Sequence, residues 1–73
     1  MIRFKLGEQF EKKQFRDSRR ITMQDVSDAT AINRSTLSKI LNQKGYSTGT
    51  DVLDRLCNYF DCSIADLVER VPD

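Results

Sequence analysis

The stretch from Thr22 to Asn42, TMQDVSDATAINRSTLSKILN, constrains the chain most, because it reads as two short helices meeting at a tight turn. Apolar or small residues at Val26, Ala29, Ile32, Leu37, Ile40 and Leu41 give each half one buried stripe and leave its other side polar. The polar side of the second half is Arg34, Ser35, Ser38 and Lys39. Asn33, just before it, suits an N-cap, since its side-chain oxygen accepts from the otherwise unpaired amides of the first turn. A short helix that offers donors, one guanidinium and no acid suits a polyanion, and its width suits the major groove of a duplex.

Seventy-three residues allow one domain, residues 1–73, near the lower limit at which an apolar core alone suffices. No apolar run is long enough to span a bilayer, and no charged-then-apolar leader ends in small residues. A soluble, cytoplasmic protein is the expectation. Cys57 and Cys62 can in principle pair, but they lie inside an apolar helix-loop-helix pattern and match no zinc motif, so core packing is expected of them. With no histidine, the usual general base and commonest metal ligand are missing. The serines and aspartates lack a base partner and a Gly-rich phosphate cradle, so neither an enzyme nor a cofactor nor a small-molecule ligand is indicated.

A net charge of +1 hides a polarised chain. Met1 to Arg20 holds seven basic residues against three acids, and Arg34 to Tyr46 holds Arg34, Lys39 and Lys44 with no acid. The acids gather after Ser47, at Asp51, Asp54, Asp61, Asp66, Glu69 and Asp73. One face basic and the opposite one acidic is the arrangement this predicts.

In chain order, Ile2, Phe4 and Leu6 alternate with Arg3 and Lys5, a pattern that fits a strand or the lead-in to a helix. Helix 1 is expected over about Leu6 to Arg16, with Leu6, Phe10 and either Gln14 or Phe15 inward and a solvated edge of Lys12, Lys13 and Gln14. Asp17 to Arg20 breaks the period; its Arg19 and Arg20 fit either a solvated loop or a phosphate contact. Thr22 with Asp25 resembles a capping box that opens helix 2, Met23 to about Thr30. Helix 3 runs from Arg34 to about Asn42, where Gly45 is placed to end it with a left-handed residue. Thr48, ahead of Thr50, is the expected cap of helix 4, about Asp51 to Phe60, whose inward side is Val52, Leu53, Leu56, Cys57 and Phe60. Ser63 with Asp66 opens helix 5, with Ile64, Leu67 and Val68 inward, and Pro72 ends it.

The central stretch resembles the helix-turn-helix of the phage-repressor and Cro-like family, also called Xre-like. That pattern runs Thr-Gln, three residues, a small residue, three residues, Gly, an apolar residue, Ser, then Arg-Ser-Thr-apolar-Ser-Arg/Lys-Ile. Here the letters are Thr22-Met23, Ser27, Ala31, Ile32, Asn33 and Arg34-Ser35-Thr36-Leu37-Ser38-Lys39-Ile40. Met23 stands where the family usually has a Gln that touches a phosphate, unless Gln24 takes over that contact. Ala31 stands where the family usually has a left-handed Gly. The second half also looks like small stand-alone bacterial members. The resemblance implies a compact all-α, five-helix repressor-like domain with the reader pair at about residues 22–42. In some members the opening residues pair with the tail as a two-strand patch, which the alternation around Phe4 and an extended end near Val71 would fit.

What the resemblance implies for function is sequence-specific binding of double-stranded DNA by a transcriptional regulator, a repressor by expectation. Arg34 is the first choice for base readout, since a guanidinium donates twice to guanine O6 and N7. Ser35 and Ser38 reach base edges or phosphates, and Thr36 offers its methyl to a thymine. Lys39 is expected on a phosphate, while Asn33 either only caps or also touches the backbone. Gln24, Lys44, Tyr46 and Ser47, with Arg19 and Arg20, would hold the backbone strands and set the register; Tyr46 fits the core edge equally well. Family members commonly bind inverted repeats, so a homodimer through helix 5 and the tail is expected. The alternative is an antitoxin-like or adaptor module whose acidic side binds a basic protein, with DNA contact secondary or absent.

Overall fold

The computed structural model describes residues 1–43 and 45–72. Along the chain lie β1 (Ile2–Phe4), α1 (Leu6–Asp17), α2 (Met23–Thr30), α3 (Arg34–Asn42), α4 (Thr50–Phe60), α5 (Ile64–Leu67) and β2 (Val68–Arg70). The fold is helical, with the terminal two-strand patch in place. β1 and β2 pair antiparallel, setting Ile2 opposite Arg70, Arg3 opposite Glu69 and Phe4 opposite Val68. The pairing continues one step outward, where the Met1 ammonium donates to the Val71 carbonyl at 3.1 Å and the Val71 amide to Met1 at 2.8 Å. No helix among the described residues is long and apolar enough to cross a membrane.

Local chemistry sets the helix ends. Thr22 Oγ1 accepts from the Asp25 amide at 3.1 Å while the Asp25 carboxylate accepts from the Thr22 amide at 2.9 Å, which satisfies two donors at the start of α2. At the start of α5, one Asp66 carboxylate oxygen accepts from both the amide and the hydroxyl of Ser63, at 3.2 and 3.0 Å. Asn33 Oδ1 accepts from the Ser35 amide at 2.8 Å and opens α3. The α1 helix stops at Ser18, a left-handed residue (φ 52°) that turns the chain toward α2. There the Gln14 side chain accepts from the Ile21 amide at 2.9 Å.

Among the described residues, nine buried apolar side chains form the core: Leu6, Ile21, Val26, Ile32, Leu37, Ile40, Leu56, Phe60 and Leu67. Every helix contributes, and Phe60 meets Phe10 at 5.4 Å and Tyr59 at 4.9 Å between ring centroids. Gln9 is buried with them, its Nε2 donating to the Asp66 carbonyl at 2.8 Å and so tying α1 to α5.

Several expectations are corrected. Ala29 is exposed and Thr30 is buried instead, its hydroxyl satisfied by the Val26 carbonyl at 2.6 Å. Leu41 (38% exposed) and Ile64 (51% exposed) face out, because Leu37, Ile40 and Leu67 already fill the space beneath their short helices. Phe15 is 90% exposed, and Gln14 rather than Phe15 turns inward to reach Ile21. Lys13 is half-buried, not solvated: its ammonium lies 3.1 Å from Asp17 and 4.8 Å from the centre of the Tyr59 ring. Gly45 is left-handed (φ 72°) but does not end α3, which closes earlier at an extended Gln43 whose amide donates to Lys39. Neither Thr48 nor Thr50 caps α4; Gly49 does, and this moves Asp51 to the second helical position, where it cannot close a reciprocal pair with Thr48. Val68 leaves α5 for β2.

Ala31 is left-handed at φ 60°. An L side chain there costs on the order of 1–2 kcal/mol, partly offset by the greater freedom glycine has in the unfolded chain. Ala31→Gly is therefore expected to stabilise by about 0.5–1 kcal/mol and to raise the melting temperature by roughly 2–8 °C in a calorimetric scan. A lower melting temperature would show that the Ala31 methyl contributes more than its backbone strain.

The amide and then the hydroxyl of Thr22 hold the Asp25 carboxyl below its ordinary range, with Arg19 adding to the effect, and Ser63 does the same for Asp66. Both groups bind protons less readily folded than unfolded, so their stabilisation is present above about pH 4 and is lost as pH falls through the folded values. Between about pH 6 and about pH 3 the melting temperature of the Asp25→Asn, Asp66→Asn double variant is expected to fall less than that of the parent.

Candidate nucleic-acid interface

The turn between α2 and α3 fixes how the two helices meet. Ser27 Oγ donates to the Ile32 carbonyl at 2.7 Å, Thr30 Oγ1 accepts from the Ile32 amide at 3.3 Å, and the Ala31 amide donates to Ser27 at 2.9 Å. With Ile32, Leu37 and Ile40 buried, α3 is seated by its inner side and turns the opposite side to solvent.

That outer side carries Arg34, Ser35, Ser38 and Lys39, all exposed. Thr36 is half-buried on the flank next to Leu37. Asn33 is exposed but committed, since its Oδ1 accepts from the Ser35 hydroxyl at 2.9 Å as well as from the amide. Asn42, which the sequence pattern had not singled out, completes the row: it is exposed and its Nδ2 donates to Ser38 Oγ at 3.3 Å. The spacing Ser35, Ser38, Asn42 is the i, i+3, i+7 of one helix face and was the available signal.

Beside this row stands the start of α2. Met23, at the position where a phosphate-touching Gln was expected, is half-buried and packs against the core. Gln24 is exposed and accepts from Arg34 Nη1 at 3.2 Å, and its own amide donates to Asp28 Oδ1 at 2.7 Å. Arg20, Gln24 and Arg34 border one shallow hollow floored by Phe10, Ile21 and Met23. Arg19 is exposed and close enough to Asp25 to lower its pKa. None of Arg19, Arg20, Arg34 and Lys39 forms a salt bridge with a described residue, whereas Arg3, Lys13 and Arg16 do.

Other candidates lie apart. Tyr46 is half-buried against the core with Lys39 Nζ 5.9 Å from its ring centre, and it borders with Ser47 a different hollow, lined by Ile2, Phe4, Leu53, Ile64 and Val68. Lys44 lies outside the described residues. Cys57 and Cys62 are free, half-buried thiols packed against the core, and burial, with Cys57 adding to it, pushes the Cys62 thiol up to about 11. No group of three or more metal-ligating side chains occurs among the described residues.

A helix pair of this geometry, with cations and amides on one side and a sealed turn behind, defines a helix-turn-helix DNA-binding domain. The sequence profile of the Cro/C1-type HTH DNA-binding domain matches residues 13–73, and the chain belongs to that family. No curated protein and no solved structure matches it. The family is a DNA-binding one rather than an enzymatic one.

Proposed function

We propose that this chain binds double-stranded DNA sequence-specifically, with α3 in the major groove, and represses transcription by occupying its site. The outward row of donors on α3, held beside Gln24 by the Arg34 hydrogen bond, carries the proposal in a chain of a DNA-binding family. Arg34 reads a guanine through O6 and N7, with Ser35, Ser38 and the Thr36 methyl on neighbouring base edges. Lys39, Asn33, Gln24, Arg19 and Arg20 hold phosphates, with Lys44, Tyr46 and Ser47 on the flanking strand. Gln24 takes the place that Met23, turned inward, cannot fill.

The roles separate by substitution. Arg34→Ala is expected to relax preference at one base position by roughly 1–3 kcal/mol, while Lys39→Ala weakens binding to every sequence and reduces the salt slope by about one. Equal losses on specific and random duplexes for both variants would remove the base-reading role of Arg34. The alternative adaptor module is separated by titration with random duplex at low salt, to which a DNA binder responds and an adaptor without DNA contact does not.

A homodimer is part of the proposal. Ile2 and Ile64 are exposed large hydrophobic side chains that border one hollow with Phe4, Leu53 and Val68, with Tyr46, which neighbours Lys39, and Ser47 also at its edge. Ile64→Asp is expected to leave the fold intact and to shift the sedimentation coefficient to that of a monomer, with loss of the affinity gain that a two-half-site duplex gives the parent over a single half-site. Monomeric parent protein at all concentrations on a two-half-site duplex would exclude this interface.

A further inference from the structure

We infer that Asp28 is a positioning residue for base readout: it fixes the amide of Gln24, which in turn holds the Arg34 guanidinium, so the three form a relay from α2 to α3. This rests on the proposal that Arg34 reads a base. Gln24 Nε2 donates to Asp28 Oδ1 at 2.7 Å, and Arg34 Nη1 donates to Gln24 Oε1 at 3.2 Å. A glutamine amide can sit in two flipped orientations, and the chemistry at both ends selects the same one. The Asp28 carboxylate only accepts, so the NH2 of Gln24 must face it. The guanidinium only donates, so the Gln24 oxygen must face Arg34.

Each link is short and one-directional. Asp28 and Gln24 are four residues apart on α2, a spacing that stacks their side chains on one helix face. The hold on Arg34 uses one Nη1 hydrogen, and the Nε and Nη2 hydrogens have no partner among the described residues, which leaves the edge that pairs with guanine O6 and N7 available. An exposed arginine otherwise samples many rotamers, and ordering it in advance lowers what docking must immobilise. An acid on a DNA-facing helix also repels phosphates; the relay gives this one a function that repulsion alone does not.

The two roles of Asp28 come apart in a pair of variants. Asp28→Asn and Asp28→Ala both remove the charge, and both are expected to raise affinity for random duplex alike. Only Asp28→Ala removes the acceptor. On the duplexes that the parent protein enriches from a randomised library, Asp28→Ala is expected to lower discrimination at the base position lost in Arg34→Ala by roughly two- to tenfold, with Asp28→Asn keeping the parent's discrimination. In an Arg34→Ala background, Asp28→Ala should change that discrimination no further. Equal discrimination in Asp28→Ala and Asp28→Asn overturns the relay while leaving the base-reading role of Arg34 in place. A parent protein that enriches no duplex, or an Arg34→Ala variant with unchanged base preference, overturns the base-reading proposal itself.

Discussion

Ile32 is held by all three of its groups at once. Its amide reaches Thr30, its carbonyl receives the Ser27 hydroxyl, and its side chain is buried. A turn of so few residues has little else to fix its angle, and the direction in which α3 points follows from this residue. Ala31, in a left-handed conformation that its side chain disfavours, is retained because its neighbours over-determine the turn. With Leu37 and Ile40 buried behind it, the outward row on α3 rests on the same core as this turn.

Apolar and polar duties are divided along the chain. The α4 helix and the short α5 supply Leu56, Phe60 and Leu67 to the core and carry acids outside, while α3 supplies Leu37 and Ile40 inside and donors without an acid outside. Buried and half-buried polar groups serve as fasteners between elements. Gln9 joins α1 to α5, Gln14 joins α1 to the approach of α2, and Thr30 closes the turn. Among the described residues no buried side-chain nitrogen or oxygen lacks a hydrogen-bond partner, as a small domain with little apolar area to spare requires.

The parts of this arrangement legible in the sequence are those decided within a few residues. Thr22 with Asp25, Asn33, and the position of Ala31 set the bounds of α2 and α3 because a cap needs only its own first turn. What eluded the pattern depends on distant partners. Gln9 lies inward with its amide on the Asp66 carbonyl, and no periodicity announces a polar residue in a core. Leu41 and Ile64 looked inward because helices of nine and four residues give few positions to define a stripe. The loop after α3 misled because Gly45, Thr48 and Thr50 all carry turn chemistry, while the cap of α4 is Gly49, which makes no side-chain capping bond. On the outer face, exposure of Arg34, Ser35, Ser38 and Lys39 was readable, whereas the bond from Arg34 to Gln24 crosses between helices and was not.

The β1–β2 ribbon has a mechanical side. Both chain ends leave it at the same edge, where Met1 meets Val71. A load applied between the termini would therefore peel the ribbon rung by rung instead of shearing all its bonds together, and would reach the α1–α5 fastening at Gln9 only after the ribbon had parted. Tension on this chain is thus borne first by the three-residue strands of the ribbon, with the turn at Ile32 shielded behind them.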